Sequence, residues 1–166
     1  MATSRAYDVV VIGSGPGGYG AAIRAAQLGK SAAVIERSTV GGICLNWGCI
    51  PTKALIRNAE VLSLVQHAKN FGIQVEAYRA DFGAGVDRSR TVARKLTKGV
   101  EYLLKKNKVE LIEGSGRFLR NQEIGVFDGE GAQSGAIKAA NTIIATESHA
   151  KALPGTEYDG QRVISS

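Results

Sequence analysis

Both cysteines of the chain, Cys44 and Cys49, lie in one glycine-rich stretch, GGICLNWGCIPTK at Gly41 to Lys53. On a regular helix an offset of five positions turns two side chains well away from each other, because each residue rotates by about 100°. The thiols can therefore meet only if the start of the helix is distorted. The glycines of this stretch supply the backbone freedom for such a distortion.

The second cysteine is expected near a helix N-terminus. Pro51 suits the first turn of a helix that continues through Lys53, and Cys49 lies just before it. Backbone N–H groups and the helix dipole favour an anion there, which predicts a reactive thiolate and a redox dithiol. The spacing alone leaves open inert buried side chains, a structural cystine or half of a zinc site. His67 and His149 lie at no metal-binding spacing from the pair, so no metal site is predicted.

A strand, a helix and a second strand precede the cysteines. YDVVVI at Tyr7–Ile12 is typical of a strand buried on both faces, and it leads straight into GSGPGG. An alanine-rich helix, Gly20–Leu28, is closed by Gly29 as a C-terminal cap. The second strand, Ser31–Ile35, ends in Glu36.

The glycines after the first strand form the pattern GxGxxG. Gly13 makes the tight turn, Gly15 lets a pyrophosphate approach the backbone, and Gly18 packs helix on strand. The helix N-terminus faces the phosphates, and Glu36, about 20 residues on, would bind a ribose hydroxyl. Strand, glycines, helix, strand and acid together predict a dinucleotide site. The alternative is a glycine-rich turn that binds no ligand.

The second half of the chain predicts two long helices. The helix after the cysteines runs to about Lys69, an irregular connection covers Phe71–Ala84, and a further helix covers about Asp87–Asn107. A strand follows at Val109–Ile112. His67 is expected to be an ordinary polar helix position.

The last part of the chain predicts short strands. After an extended piece, the strands Glu123–Phe127 and Gly135–Ala139 suggest a small antiparallel β-meander, and Asn141–Ala145 is a closing strand that returns to the parallel sheet. The predicted fold class is α/β: a Rossmann-like domain over residues 1–166, with a parallel sheet and the meander as an insert.

The net charge of +6 comes largely from the stretch between Arg88 and Lys108. This stretch also carries apolar residues at helical spacing, namely Val92, Leu96, Val100, Leu103 and Leu104. The charges are therefore interpreted as the solvated side of an amphipathic helix rather than as a nucleic-acid interface. No apolar run approaches the roughly 20 residues of a membrane span, and no targeting segment is recognised at the N-terminus, so no membrane partner and a cytoplasmic location are expected.

GSGPGGYGAAIRAAQLG, then ER, then GGICLNWGCIPTKAL, in this order and at this spacing, resemble the N-terminal part of the dihydrolipoyl dehydrogenases, within the disulfide flavoprotein reductases. The isoleucine and tryptophan inside GGICLNWGCIPTK look more like the cyanobacterial and plastid branch than the mitochondrial one. The resemblance covers the chain from Tyr7 to Ser166.

The resemblance implies that FAD occupies the GxGxxG site and that Cys44 and Cys49 form a redox disulfide. Cys44 would exchange with the lipoyl disulfide, and Cys49 would form a charge-transfer contact with the flavin. Lys53 would lie near the reactive nitrogen of the flavin, where a cation stabilises negative charge on the reduced ring. Gly116 would approach the adenine. The residues implied to contact FAD are Gly13, Gly15, Pro16, Gly17, Gly18, Glu36, Arg37, Gly42, Cys44, Lys53, Gly116 and Thr146.

The implied reaction moves electrons from a protein-bound dihydrolipoyl group through the cysteines and FAD to NAD⁺. The implied partners are the lipoyl domain of a 2-oxoacid dehydrogenase or glycine cleavage complex and a second copy of the full-length enzyme. The alternatives are part of a mercuric or glutathione reductase, or a degenerate flavin-binding module without activity.

Two departures from the family pattern stand out. Glu147 follows the closing strand in IIATESHAKALPG, where family members carry a glycine against FAD. The chain also ends about where the NAD-binding domain should begin, so the NAD-binding, central and interface domains, with their acid/base histidine, are expected to be absent. His149 lies in the turn after the closing strand and does not replace that histidine. An N-terminal fragment unable to turn over alone is therefore expected.

Overall fold

A computed structural model of the chain describes residues 5–165 and confirms the α/β class. The strands are β1 (Arg5–Ile12), β2 (Ala32–Glu36), β3 (Glu110–Glu113), β4 (Ser115–Arg120), β5 (Glu123–Phe127) and β6 (Gln133–Ile144). The helices are α1 (Pro16–Gln27), α2 (Gly42–Asn46), α3 (Cys49–Gln66) and α4 (Phe82–Lys106), and a 3₁₀ turn at Ala68–Phe71 follows α3. Among these residues, no helix is long and apolar enough to cross a membrane.

One sheet contains all six strands in the order β3-β2-β1-β6-β5-β4. β3, β2, β1 and β6 are parallel, with Val10 of β1 opposite Ala33 of β2 and Thr142 of β6. β4, β5 and β6 pair antiparallel. The carboxyl ends of four parallel strands therefore meet at one edge, which is where open α/β sheets bind their ligands.

The alternation of side chains along β1 and β2 gives each face of the sheet its own core. Val11 and Val34 pack with residues of the helices, including Leu45 and Leu104. Residues on the opposite face pack against the antiparallel strands: Val10, Ile12, Ala33 and Ile35 contact a cluster with Ile124, Val126, Ile137 and Ala139. Each such valine or isoleucine contributes about 1.5–3 kcal/mol when fully buried. The antiparallel strands thus cover the face that the helices leave open.

The separate strands predicted at Gly135–Ala139 and Asn141–Ala145 are in fact one strand, β6, of 12 residues. No turn residue interrupts it, and Lys138 pairs both with Glu123 of β5 and with Ala6 of β1. The antiparallel part is consequently continuous with the parallel sheet at β6.

Two helices begin earlier than predicted. α1 begins at Pro16 rather than Gly20, because the proline takes the first helical position and the following glycines continue the helix. α4 begins at Phe82 rather than near Asp87. Asp81 caps it, with a side-chain oxygen that accepts a hydrogen bond from the Ala84 amide at 3.0 Å.

The buried face of α4 differs from the predicted apolar face. Leu96 and Leu103, two of the apolar residues at helical spacing, are each 42% exposed and so lie outside the buried face. The buried positions are Ser89, Ala93, Thr97, Val100 and Leu104. Two of these are hydroxyl residues that find hydrogen-bond partners, which allows the helix to turn a partly polar face inward.

Candidate functional site

A cleft of about 360 Å³ opens at the carboxyl edge of the parallel strands. It is lined by the segments that follow β1, β2, β3 and β6, together with the start of α2. Seven of the residues predicted to contact FAD line it, namely Gly13, Gly15, Glu36, Arg37, Gly42, Gly116 and Thr146. Segments distant in sequence therefore converge on the site that the GxGxxG pattern predicts.

The turn after β1 is tight enough to require glycine. Gly13 has φ +100° and donates its N–H to the Ile35 carbonyl at 2.8 Å. A Cβ at Gly13 would lie 2.2 Å from the Ala145 carbonyl oxygen, and a Cβ at Gly18 would lie 1.9 Å from the Gly13 carbonyl oxygen. These contacts agree with the turn and packing roles predicted for the two glycines.

Glu36, at the end of β2, has both carboxylate oxygens hydrogen-bonded. Oε2 accepts from the Ser14 amide at 2.8 Å and from the Ser14 hydroxyl at 2.7 Å, and Oε1 accepts from the Ser38 amide at 2.9 Å. Each oxygen of a carboxylate has two lone pairs, so Oε1 retains capacity for one more donor. The predicted ribose contact stays a prediction, and the carboxylate is positioned for it at the cleft wall.

Gly116 lies where β4 crosses the end of the sheet. A Cβ there would come within 3.1 Å of the Ile35 side chain and 3.2 Å of the Ile12 side chain, so a larger residue would require both side chains to shift. Gly116 also lines the cleft, and its approach to adenine stays a prediction.

Glu147 projects into the same cleft from the segment after β6. Its φ of +62° is in the left-handed region, which is uncommon for a residue with a side chain. Oε2 accepts a hydrogen bond from the Ile43 amide at 2.8 Å. The carboxylate lies between Gly15 and Gly42, beside the turn predicted to approach a pyrophosphate.

The two cysteines lie on either side of a break between helices. Cys44 belongs to α2, Trp47 and Gly48 follow it outside a helix, and Cys49 is the first residue of α3. The predicted distortion and the position of Cys49 at a helix N-terminus are both present. Both cysteines are free thiols, Cys44 partly buried against the core and Cys49 exposed.

The two thiols lie close enough to influence each other's protonation. Hydrogen bonding with the Cys49 side chain raises the pKa of the Cys44 thiol, with burial and the charge of Cys49 acting in the same direction. The Cys49 backbone and the positive charge of Lys53 act in the opposite direction on the same pKa. The net effect is a raised pKa, so the Cys44 thiol gives up its proton less readily than an unperturbed thiol.

Asn46 holds the cysteine turn in place. Its side-chain amide donates to the carbonyls of Val40 at 3.1 Å and Gly42 at 2.9 Å, and its oxygen accepts from the Thr97 hydroxyl at 3.1 Å. These bonds join the start of α2, the loop before it and helix α4. Sequence reasoning missed both Asn46 and Thr97, because neither lies in a pattern that predicts a contact between them.

Several predicted site residues lie outside the cleft lining: Pro16, Gly17, Gly18, Cys44, Cys49 and Lys53. Pro16 and Gly17 are exposed at the start of α1. Lys53 is exposed on α3, one turn after Cys49. The thiols nonetheless adjoin the cleft through α2, since Ile43 lines it and Cys44 is the next residue.

The cleft also contains residues that the sequence analysis did not select. Ser14, Ser38, Ile43, Trp47 and Gly114 all line it. Ser14 had a usable signal, because a hydroxyl residue inside GxG, next to the strand that ends in an acid, is a natural donor to that acid. No sequence pattern predicted Trp47 in the cleft lining, since its position there depends on the break between α2 and α3.

A larger cavity of about 800 Å³ lies between α3, the start of α4 and the loop before it. Its walls are largely apolar, with Leu55, Leu62, Val65, Tyr78 and Phe82 among them. It lies away from the glycine turn and from both cysteines, so we take the cleft at the strand ends as the candidate site.

Comparisons with known proteins agree with this geometry. The family model described as pyridine nucleotide-disulphide oxidoreductase matches residues 7–166. A dihydrolipoyl dehydrogenase of Chlorobaculum parvum is 44% identical over 164 residues, covering 99% of this chain and 35% of the relative. One from Zymomonas mobilis is 47% identical over 159 residues, covering 95% of this chain and 34% of the relative.

A mitochondrial dihydrolipoyl dehydrogenase of Schizosaccharomyces pombe is 46% identical over 162 residues, covering 96% of this chain and 32% of the relative. The chain spans about a third of the length of the curated relatives it matches. The family match covers nearly all of the chain, and the chain therefore belongs to the pyridine nucleotide-disulphide oxidoreductase family.

Proposed function

We propose that this chain forms the FAD-binding and dithiol part of a dihydrolipoyl dehydrogenase. The observation that carries the proposal is the continuity of cleft and thiols along α2: Gly42 and Ile43 line the dinucleotide cleft, and Cys44 is the next residue. A dithiol that passes electrons to a bound cofactor must lie directly beside it. The names of the relatives support this assignment.

The residues of the cleft fit FAD at all positions but one. Gly13 and Gly15 have no side chains that would keep a diphosphate from the backbone of the turn. Glu36 lines the cleft, where it would bind a ribose hydroxyl. Gly116 has no side chain, so the β4 backbone would lie close to the adenine. The remaining proposed contacts are those of Pro16, Gly17, Gly18, Arg37, Gly42, Cys44, Lys53 and Thr146. Glu147 is the exception, because its side chain fills the space next to Gly15.

The cysteine pair supplies the exchange chemistry in this proposal. In the oxidised enzyme Cys44 and Cys49 share a disulfide, and a thiolate of the dihydrolipoyl group attacks the Cys44 sulfur, which releases Cys49 as a thiolate. The second lipoyl sulfur then displaces Cys44 from the mixed disulfide. The lipoyl group has lost two electrons and two protons and is a cyclic disulfide, and the cysteines have gained both electrons.

The raised pKa of Cys44 suits its proposed exchange role. Cys44 is released as a thiolate at the end of the exchange, and its raised pKa favours the uptake of a proton there. Lys53, four residues after Cys49 on α3, adds a positive charge to the same region. FAD held in the cleft would supply an acceptor for the electron pair of the dithiol and a route for that pair to NAD⁺.

Turnover belongs to the whole enzyme in this proposal. The proposed partners are a lipoyl domain of a 2-oxoacid dehydrogenase or glycine cleavage complex and a second copy of the enzyme. The 166 residues would constitute the FAD-binding domain, about a third of the length of the relatives. NAD⁺ binding and the acid/base group are assigned to the remaining two thirds.

Flavin binding tests the proposal. We expect the purified chain to quench flavin fluorescence saturably, and Glu36→Gln to weaken FAD binding by about tenfold, since a hydrogen bond to a charged group is lost. Glu113→Gln is the matched control, because Glu113 ends the neighbouring strand β3 but lies outside the cleft lining. Failure of both the unmodified chain and Glu147→Gly to bind FAD, with circular dichroism showing them folded, would contradict the proposal.

A further inference from the structure

The side chain of Glu147 fills a space that two glycines leave open. A Cβ built on Gly15 would lie 1.8 Å from Oε1 of Glu147, and a Cβ built on Gly42 would lie 2.2 Å from the same oxygen. Gly15 belongs to the first dinucleotide-binding turn, and Gly42 begins α2. The carboxylate therefore lies between the two backbone segments that border the diphosphate position.

The contacts of the carboxylate are those that an anionic ligand would use. Oε2 accepts a hydrogen bond from the backbone amide of Ile43 at 2.8 Å. Within residues 5–165 no ion pair involves Glu147, so a backbone amide and the glycine-lined space are what hold it. The segment that carries it is anchored by the bond from the Ala145 amide to the Ile12 carbonyl at 2.8 Å.

We propose that Glu147 is an internal competitor for the diphosphate of the dinucleotide and sets the affinity of this chain for FAD. The inference rests on the proposed function. Two anions cannot share the space between Gly15 and Gly42, because both volume and charge exclude it. FAD then binds after the Glu147 side chain leaves the cleft and its bond to Ile43 is broken.

The left-handed backbone at Glu147 makes the choice of variants important. Glycine at this position removes the carboxylate and also relaxes a φ of +62°, whereas alanine removes the carboxylate and keeps the backbone strained. Glutamine keeps the length and an amide oxygen but removes the charge. Glu130→Gln is the matched control, since it removes one carboxylate from the exposed turn between β5 and β6.

The test compares FAD dissociation constants by fluorescence titration, with the backbone amide of Ile43 followed by NMR without ligand. Glu147→Ala and Glu147→Gly are expected to bind FAD at least about tenfold more tightly than the unmodified chain, because a competing charge-assisted hydrogen bond is gone. Glu147→Gln is expected to bind FAD with an affinity between that of the unmodified chain and that of the alanine and glycine variants. Glu130→Gln is expected to leave the FAD affinity unchanged. The Ile43 amide is expected to exchange faster in the alanine variant.

Three results would overturn the inference. Equal FAD affinity of the unmodified chain, Glu147→Ala and Glu147→Gly would contradict the inference without contradicting the proposed function. A gain seen with glycine but not with alanine would assign the effect to backbone strain and not to the carboxylate. If no variant binds FAD although all are folded, the proposed function fails, and the inference fails with it.

Discussion

Ser14 donates two hydrogen bonds to a single oxygen of Glu36, one from its amide at 2.8 Å and one from its hydroxyl at 2.7 Å. The pair joins the end of β1 to the end of β2, and Ser14 is fully buried there. The Ser14 carbonyl also accepts from the Gly41 amide at 3.0 Å, just before α2. One buried serine therefore links the glycine turn, the acid at the second strand and the segment that leads to the cysteines.

Replacing Ser14 by alanine should destabilise the chain. The change removes the hydroxyl that donates to a carboxylate, and hydrogen bonds to charged groups contribute about 1.5–3 kcal/mol. Ser38→Ala is the control, since Ser38 contacts Glu36 through its backbone amide, which the substitution keeps. Urea unfolding should show a lower midpoint for Ser14→Ala alone. Equal midpoints for the two variants would mean that the hydroxyl contributes nothing.

Two glycines of α1 should respond in opposite ways to alanine. A Cβ at Gly18 would lie 1.9 Å from the Gly13 carbonyl oxygen, so α1 would have to move away from the sheet. A Cβ at Gly20 meets no atom within 4 Å, and alanine in a helix is favoured over glycine by about 0.5–1 kcal/mol. Thermal melts should place Gly18→Ala below and Gly20→Ala above the unmodified chain. A Gly18→Ala variant as stable as the parent would refute the close packing.

The reactivity of Cys44 should depend on pH in a direction that Cys49 sets. Hydrogen bonding with Cys49 is the first cause that raises the Cys44 pKa above its ordinary value near 9.0, so Cys49→Ala should lower the pH midpoint of Cys44 alkylation. Lys53→Met should raise that midpoint, because it removes a charge that acts the other way. Iodoacetamide rates, assigned to each cysteine by fragment-ion mass spectrometry, measure both shifts.

The same shift affects stability with a defined sign. A raised pKa means that the folded chain binds the Cys44 proton more tightly than the unfolded chain, so this stability is present below about pH 9. It is lost as the pH rises through the folded value. The decline in the urea midpoint above pH 9 should be steeper for the reduced chain than for Cys44→Ser. If the pH midpoint of Cys44 alkylation moves neither in Cys49→Ala nor in Lys53→Met, the coupling of Cys44 to these two residues is contradicted.

Asn46 and Thr97 should show a coupled loss of stability. Asn46→Ala removes three hydrogen bonds, at about 1 kcal/mol each, and Thr97→Val removes one of the same three. The double variant should therefore be little less stable than Asn46→Ala alone. A double-mutant cycle by urea unfolding measures this interaction. Strict additivity would mean that the Thr97 hydroxyl does not bond to Asn46.

The sequence carries local signals for the first half of the fold. Short stretches of sequence suffice to recognise the β-branched run of β1, the GxGxxG pattern and Glu36. In the structure Gly13 forms the tight turn and Gly18 packs closely against it. The break that brings Cys44 and Cys49 together also followed from their spacing. The contact between Gly18 and Gly13 and the break between the cysteines involve residues close in sequence, whereas the contact of Gly13 with Ala145 is a tertiary one.

The features that sequence reasoning missed depend on tertiary contacts. β6 is one strand because it pairs with β5 on one side and β1 on the other, which no local pattern records. Leu96 is exposed while its neighbour Thr97 is buried and bonds to Asn46, a tertiary contact that no local pattern records. Glu147 departs visibly from the family pattern, but its place between Gly15 and Gly42 depends on how the segment after β6 crosses the cleft.

The most direct test of the central claim, a dithiol placed against a bound flavin, is the absorption spectrum of the FAD-loaded chain before and after anaerobic addition of dihydrolipoamide. Reduction should produce a new band at longer wavelength than the flavin peak. Cys44→Ser should show this band without reduction, because Cys49 is then always free, and Cys49→Ser should never show it. Bound flavin whose spectrum is the same in all three proteins, oxidised or reduced, would contradict the claim.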